Sequence, residues 1–149
     1  MSYFVTASAV AATLGLVGRR RAVAGGLSLS DLDRAVAEGL PYASLEAVVR
    51  HYPTAERERI IRIVVPRTTR GRREAAGTLS KTESERLERV ARLTTLAEQV
   101  WESEEDAQQF LTTPHPLLDG ASPLDLATTE LGARRVEDLL LKLEYSLPV

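Results

Sequence analysis

Leu79 to Trp101 reads LSKTESERLERVARLTTLAEQVW, and this stretch decides the fold. Ser80 is a helix N-cap and Glu83, three residues on, completes a capping box in which each residue can bond the other's backbone N–H. No glycine or proline interrupts the next 18 residues. The spacing therefore predicts one long helix from about Lys81 to Trp101. Its apolar positions, Leu87, Val90, Ala91, Leu93, Leu96, Ala97, Val100 and Trp101, cover more than one narrow stripe. A helix apolar over so wide an arc must be covered on two sides, either as the central helix of a bundle or with help from a second copy of the chain.

The flanking sequence carries helix signals and few strand signals. On the N-terminal side, Ser30 caps a helix through Leu32, Ala35 and Val36 that Gly39 and Pro41 stop. Ser44 is the expected cap of ASLEAVVRHYP, whose Leu45, Val48, Val49 and Tyr52 share a face. Thr54 caps TAERERIIRIVV; its β-branched end is compatible with a strand, but the charged start and the cap favour a helix. On the C-terminal side SEEDAQQFL reads as a helix and TTPHPLLDGA as a loop. Ser122-Pro123 is an N-cap with proline at the first helical position, and LGARRVEDLLLKLEY is a final helix. The expected class is all-α, a helical bundle, with few aromatics (5%) and a core of Leu, Val, Ile and Ala.

The N-terminal run FVTASAVAATLGLVG precedes its arginines, the reverse of a secretory signal, and is too short and too rich in small residues to span a bilayer. It reads as a soluble helix, with no membrane partner. The chain has no cysteine, which excludes disulfides and thiolate chemistry and fits a cytoplasmic location. Its two histidines, His51 and His115, lack the paired spacing of a metal site, and no phosphate-loop, dinucleotide or nucleophile-elbow motif occurs. The expectation is a binding protein with no catalytic residue, metal or cofactor.

Charge is segregated along the chain. Residues 1–80 hold 12 basic and 7 acidic side chains, and residues 81–149 hold 7 basic and 14 acidic. A basic front and an acidic back point to two different partners, or to chance segregation on a solvated surface. The most basic stretch is PRTTRGRR, Pro66 to Arg73, with four arginines in eight residues. It follows a short helix and a tight turn, the layout of a helix-turn-helix, whose second helix enters the major groove. Arg67, Arg70, Arg72 and Arg73 suit phosphate or guanine, and Thr68 and Thr69 suit phosphate or a thymine methyl. Arg57, Arg59 and Arg62 extend the patch. The competing readings are a solvated surface turn and a localisation signal. Gly71 inside this helix costs about 1 kcal/mol relative to alanine, so the helix is expected to be short or loosely docked.

The C-terminal half resembles the toxin-binding domain of the Xre/MbcA/ParS antitoxins. Leu79-Ser80, Glu83-Ser84 and Arg86-Leu87 stand where that family has Leu-Ser, Glu-Ser and Arg-Leu. The family's turn is matched at His115, Leu118, Asp119, Gly120, Ser122, Pro123 and Leu126, with His115 in place of asparagine and Asp119 in place of the first glycine. Its last helix is matched at Gly132, Ala133, Val136 and Leu140. GLPYASLEAVVRHY and the arginine stretch resemble the family's N-terminal Xre-like helix-turn-helix.

The resemblance implies a DNA-binding and dimerisation domain over residues 1–78 and a toxin-binding domain over residues 79–149. It implies an antitoxin of a type II toxin–antitoxin system. Its partners would be a RES-domain toxin that degrades NAD, whose active site it covers, and the operator DNA of its own operon, which it represses as a homodimer. Arg134, Glu137, Asp138, Glu144, Tyr145 and Val149 are the residues expected in or near the toxin's cleft. The alternatives are a dimeric transcriptional regulator without a toxin partner and an adaptor whose arginines are merely solvated.

Overall fold

Ser80 opens the long helix as its spacing predicts. In the computed structural model Glu83 N–H donates to Ser80 Oγ at 3.2 Å and Ser80 N–H donates to Glu83 Oε1 at 2.9 Å. The structure describes residues 5–18, 20 and 25–146. In chain order the helices are α1 (Ala7–Thr13), α2 (Leu29–Glu38), α3 (Tyr42–Val49), α4 (Thr54–Val64) and α5 (Arg70–Ala76). They continue with α6 (Lys81–Trp101), α7 (Glu104–Thr112), a 3-10 turn (Pro116–Leu118), α8 (Pro123–Leu126) and α9 (Glu130–Ser146). The protein is all-α, and no strand occurs among the described residues beyond an isolated bridge between Pro41 and Thr78.

The chain's own helices cover α6. α1, α2, α3 and α4 pack on it from the N-terminal half, and α7 and α9 from the C-terminal half. Leu87, Val90, Ala91, Leu93, Leu96 and Ala97 are all buried in a single hydrophobic cluster that runs from Val10 to Leu140. Those six positions of the wide arc thus lie at the centre of the bundle, while Val100 is partly buried and Trp101 is exposed. Two threonines of α6 are buried too. Thr94 and Thr95 donate back to the carbonyls of Val90 and Ala91, each at 2.7 Å. Their hydroxyls also meet Tyr52 Oη at 2.5 Å and Thr13 Oγ1 at 2.7 Å, so both buried threonines are satisfied within the core.

Three expected caps are corrected. α2 is capped by Ser28, not Ser30, because the Ser28 N–H donates to Asp31 Oδ2 at N3 at 3.2 Å and closes a capping box one half-turn earlier. Ser44 lies buried inside α3, which starts at Tyr42 without a side-chain cap. The Tyr42 N–H donates instead to the Gly77 carbonyl at 2.9 Å, a donor–acceptor pair that only the folded chain supplies. Pro53 is the N-cap residue of α4 and Thr54 its first helical residue. The stretch IIRIVV is helical to Val64; Val65 is extended, as the residue before proline prefers.

Candidate DNA and protein-partner surfaces

α4, the turn at residues 66–69 and α5 form the two short helices and connecting turn whose spacing suggested a helix-turn-helix. α5 begins at Arg70, so Arg67, Thr68 and Thr69 stand in the turn ahead of it rather than on its faces. Seven residues long, α5 buries none of its side chains, in keeping with the weak helix that Gly71 predicts. Gly77 ends it in the left-handed conformation.

Two of the four arginines hold this helix to the body of the protein. Arg70 Nη1 donates to both carboxylate oxygens of Glu58 on α4 at 2.9 Å. Tyr42 and Glu58 raise its pKa further, so it stays charged at any working pH. Arg73 Nε donates to Glu83 Oε1 at 2.7 Å, the same oxygen that closes the α6 capping box. Burial pushes the Glu83 carboxyl up, but Arg73 and the Ser80 N–H outweigh it and hold the group below its ordinary value. Arg67 and Arg72 are exposed and form no ion pair with any described residue.

α4 divides likewise. Arg57 Nε donates to the Tyr52 carbonyl at 3.1 Å. Arg59 reaches across to the C-terminal half, donating to the Thr112 carbonyl at 3.2 Å, to Ser122 Oγ, and to Asp125 Oδ1 at 3.2 Å. Burial pushes the Asp125 carboxyl up, yet Ser122 and Arg59 together hold it low. The expected patch of seven arginines therefore thins to an exposed edge of Arg62, Arg67 and Arg72.

On α9 the expected partner residues also separate. Arg134, Asp138 and Tyr145 are exposed, and with Leu131 they follow one helical face. Glu144 is half-buried. Glu137 turns inward, its Oε1 3.2 Å from Arg92 Nη1 on α6. Arg92 also lies 3.3 Å from Glu88 and donates to both carboxylate oxygens of Glu130 at 3.0 and 3.2 Å. Only the Glu130 contacts have hydrogen-bond alignment; Arg92 Nε and Glu137 Oε1 touch charge without it. Burial accordingly raises the carboxyls of Glu88 and Glu137, whereas the hydrogen bond from Arg92 lowers that of Glu130. Val149 lies outside the described residues.

Sequence spacing held no sign of the Arg59 and Arg92 clusters, because both join residues far apart in the chain. The same holds for His51, whose Nδ1 lies 2.9 Å from Glu98 Oε2 and 3.7 Å from Glu104 Oε1. These three ligand-type atoms lie within 4.8 Å of one another, and they link the end of α3 to α6 and α7.

Two segments of the chain match known families, and they meet inside α6. Residues 31–92, from α2 into α6, match the antitoxin Xre-like helix-turn-helix domain. Residues 96–145, from the end of α6 through α9, match the antitoxin Xre/MbcA/ParS C-terminal toxin-binding domain. A helix-turn-helix half and a toxin-binding half, in that order, define an antitoxin-type architecture. Over these two segments the chain matches both domains of the Xre/MbcA/ParS antitoxins. It is 35% identical over 88 residues to a protein named Antitoxin Xre from Pseudomonas putida, over 59% of this chain and 54% of that one. The chain thus matches about half the length of that relative. No helix among the described residues is long and apolar enough to cross a membrane.

Proposed function

We propose that this chain is the antitoxin of a type II toxin–antitoxin system, acting in the cytoplasm. Its C-terminal half binds and neutralises a RES-type, NAD-degrading toxin by covering the active site. Its N-terminal half binds the operator of its own operon as a homodimer and represses it. The observation that carries this reading is the separation of two exposed surfaces on one bundle. The arginine edge of Arg62, Arg67 and Arg72 lies on the helix-turn-helix half, and the Leu131, Arg134, Asp138 and Tyr145 face lies on the last helix of the other.

The charge balance supports the choice of partners. Exposed arginines without carboxylate partners suit the phosphate backbone, where each neutralised phosphate releases counterion. An enzyme that degrades NAD must hold a dinucleotide pyrophosphate with basic groups. A half-chain with 14 acidic and 7 basic side chains is suited to meet such a surface.

The test is co-expression with the protein encoded beside this chain's gene. Growth and cellular NAD should collapse when that neighbour is expressed alone and recover when this chain is present. Continued death, with NAD still depleted, would overturn the antitoxin reading.

A further inference from the structure

The C-terminal half carries a second feature that the α9 face does not include. Trp101, the chain's single tryptophan, ends α6 and is 36% exposed. Its ring centroid lies 5.9 Å from that of Phe110, tilted by 43°, and Phe110 meets His115 edge-on at 6.0 Å. These rings and Leu143 of α9 line an open groove of about 420 Å³. Asp106 stands on its rim.

One carboxylate lines the groove: Asp106 is exposed and forms no ion pair with any described residue, and its chain neighbours Glu102 and Glu105, exposed and equally without an ion pair among the described residues, add negative charge nearby in sequence. They are there for a local reason in part, because Ser103 caps α7 and acidic residues suit its first turn. That reason does not explain why the tryptophan beside them is left open to solvent.

An aromatic wall, an apolar floor and an unneutralised carboxylate rim together fit one kind of side chain. Arginine lays an aliphatic stem along apolar surface, stacks its planar guanidinium on an aromatic face, and forks onto a carboxylate. All the lining residues lie within the segment, residues 96–145, that matches the toxin-binding domain. We propose that the Trp101–Phe110–Leu143 groove is a docking subsite for an arginine of the protein partner, with its guanidinium between the Trp101 ring and the Asp106 carboxylate. The inference rests on the proposed function for the identity of that partner, and it adds a contact separate from the α9 face. A rim arginine of this kind would anchor the complex beside the covered active site.

The single tryptophan makes the site observable. The chain is labelled with 5-fluorotryptophan, and its one ¹⁹F resonance is followed as the unlabelled neighbour-encoded protein is added. The resonance should shift on complex formation. Trp101→Ala and Asp106→Asn should each weaken the dissociation constant about tenfold, the scale of a desolvated cation–π or charge-assisted contact, Asp106→Asn with unchanged thermal melting and Trp101→Ala with the lower melting point that loss of the Phe110 contact brings. Trp101→Phe, which keeps a ring, should recover part of the loss. A neighbour that binds the unaltered chain but leaves the resonance unmoved, or binds all variants equally, overturns this inference alone. A resonance that moves with the concentration of the labelled chain by itself assigns the groove to a second copy and also overturns it. A neighbour that does not bind the unaltered chain removes the proposed function and this inference with it.

Discussion

Among the arginines of PRTTRGRR, two are exposed and two are committed to ion pairs, and mutation should separate them. Arg67→Ala and Arg72→Ala should leave stability unchanged and each reduce the salt slope of operator binding by about 1. Arg73→Ala leaves Glu83, almost wholly buried, without its cation, and should lower stability by about 2 kcal/mol before any effect on DNA is read. Salt-dependent binding and thermal melting of the three variants check this; an unchanged slope would mean that Arg67 and Arg72 do not touch phosphate. Glycines divide in the same way. A Cβ on Gly132 would meet the Leu126 carbonyl oxygen at 2.1 Å, so Gly132→Ala should force the α8–α9 turn apart and cost about 1–3 kcal/mol or more. A Cβ on Gly71 would meet nothing within 4 Å, and Gly71→Ala should stabilise α5 by about 0.4–1 kcal/mol. Denaturant melts of the two variants should move in opposite directions. The sequence marks both glycines, one as a helix breaker and one by resemblance, but which of them has backbone against it depends on how α8 folds back onto α9.

At the scale of elements, the signals that proved reliable are local ones. Ser80 with Glu83 and Ser122 with Pro123 fix the starts of α6 and α8, because cap and first turn are within three residues of each other. The start of α3 was not legible, since the Tyr42 N–H is satisfied by Gly77 from across the chain. The contact of α6 with α9 was equally hidden, and there Arg92 faces Glu88, Glu130 and Glu137 together. Arg92→Ala should therefore cost about 2 kcal/mol at neutral pH, because it leaves three carboxylates facing one another in a partly buried groove. The pH dependence has a definite sign. Glu88 and Glu137 have raised carboxyl pKa values, so they favour the native state when protonated, and that contribution is lost as pH rises. Glu130 is lowered by Arg92, and its contribution is present above the ordinary carboxylate range and lost as pH falls. Removing Arg92 abolishes the second effect and strengthens the first. The stability gap between wild type and variant should narrow as pH falls from 7 toward 5; a gap that widens would refute this account of the cluster.

For the whole molecule, the expected division at residues 78 and 79 falls just ahead of α6, and α6 packs against helices from both halves. Arg59 of α4 adds a polar link to Ser122 and Asp125. A shared core of this kind should unfold as one unit. The full chain should give a single calorimetric transition with equal calorimetric and van't Hoff enthalpies, and residues 1–78 alone should not melt cooperatively; two resolved transitions would show independent domains. What the sequence alone determined is the all-α class, the extent of the long central helix, and the basic front and acidic back, since periodicity, caps and charge counts are properties of neighbouring residues. What only the tertiary structure decided is which charges are available. It turned Arg59, Arg70, Arg73 and Glu137 into internal contacts, and left Arg62, Arg67, Arg72 and the Trp101 groove at the surface. The physical reason is that an ion pair forms or fails on a few ångströms between residues 10 to 66 positions apart, and only the packing of helices sets that distance.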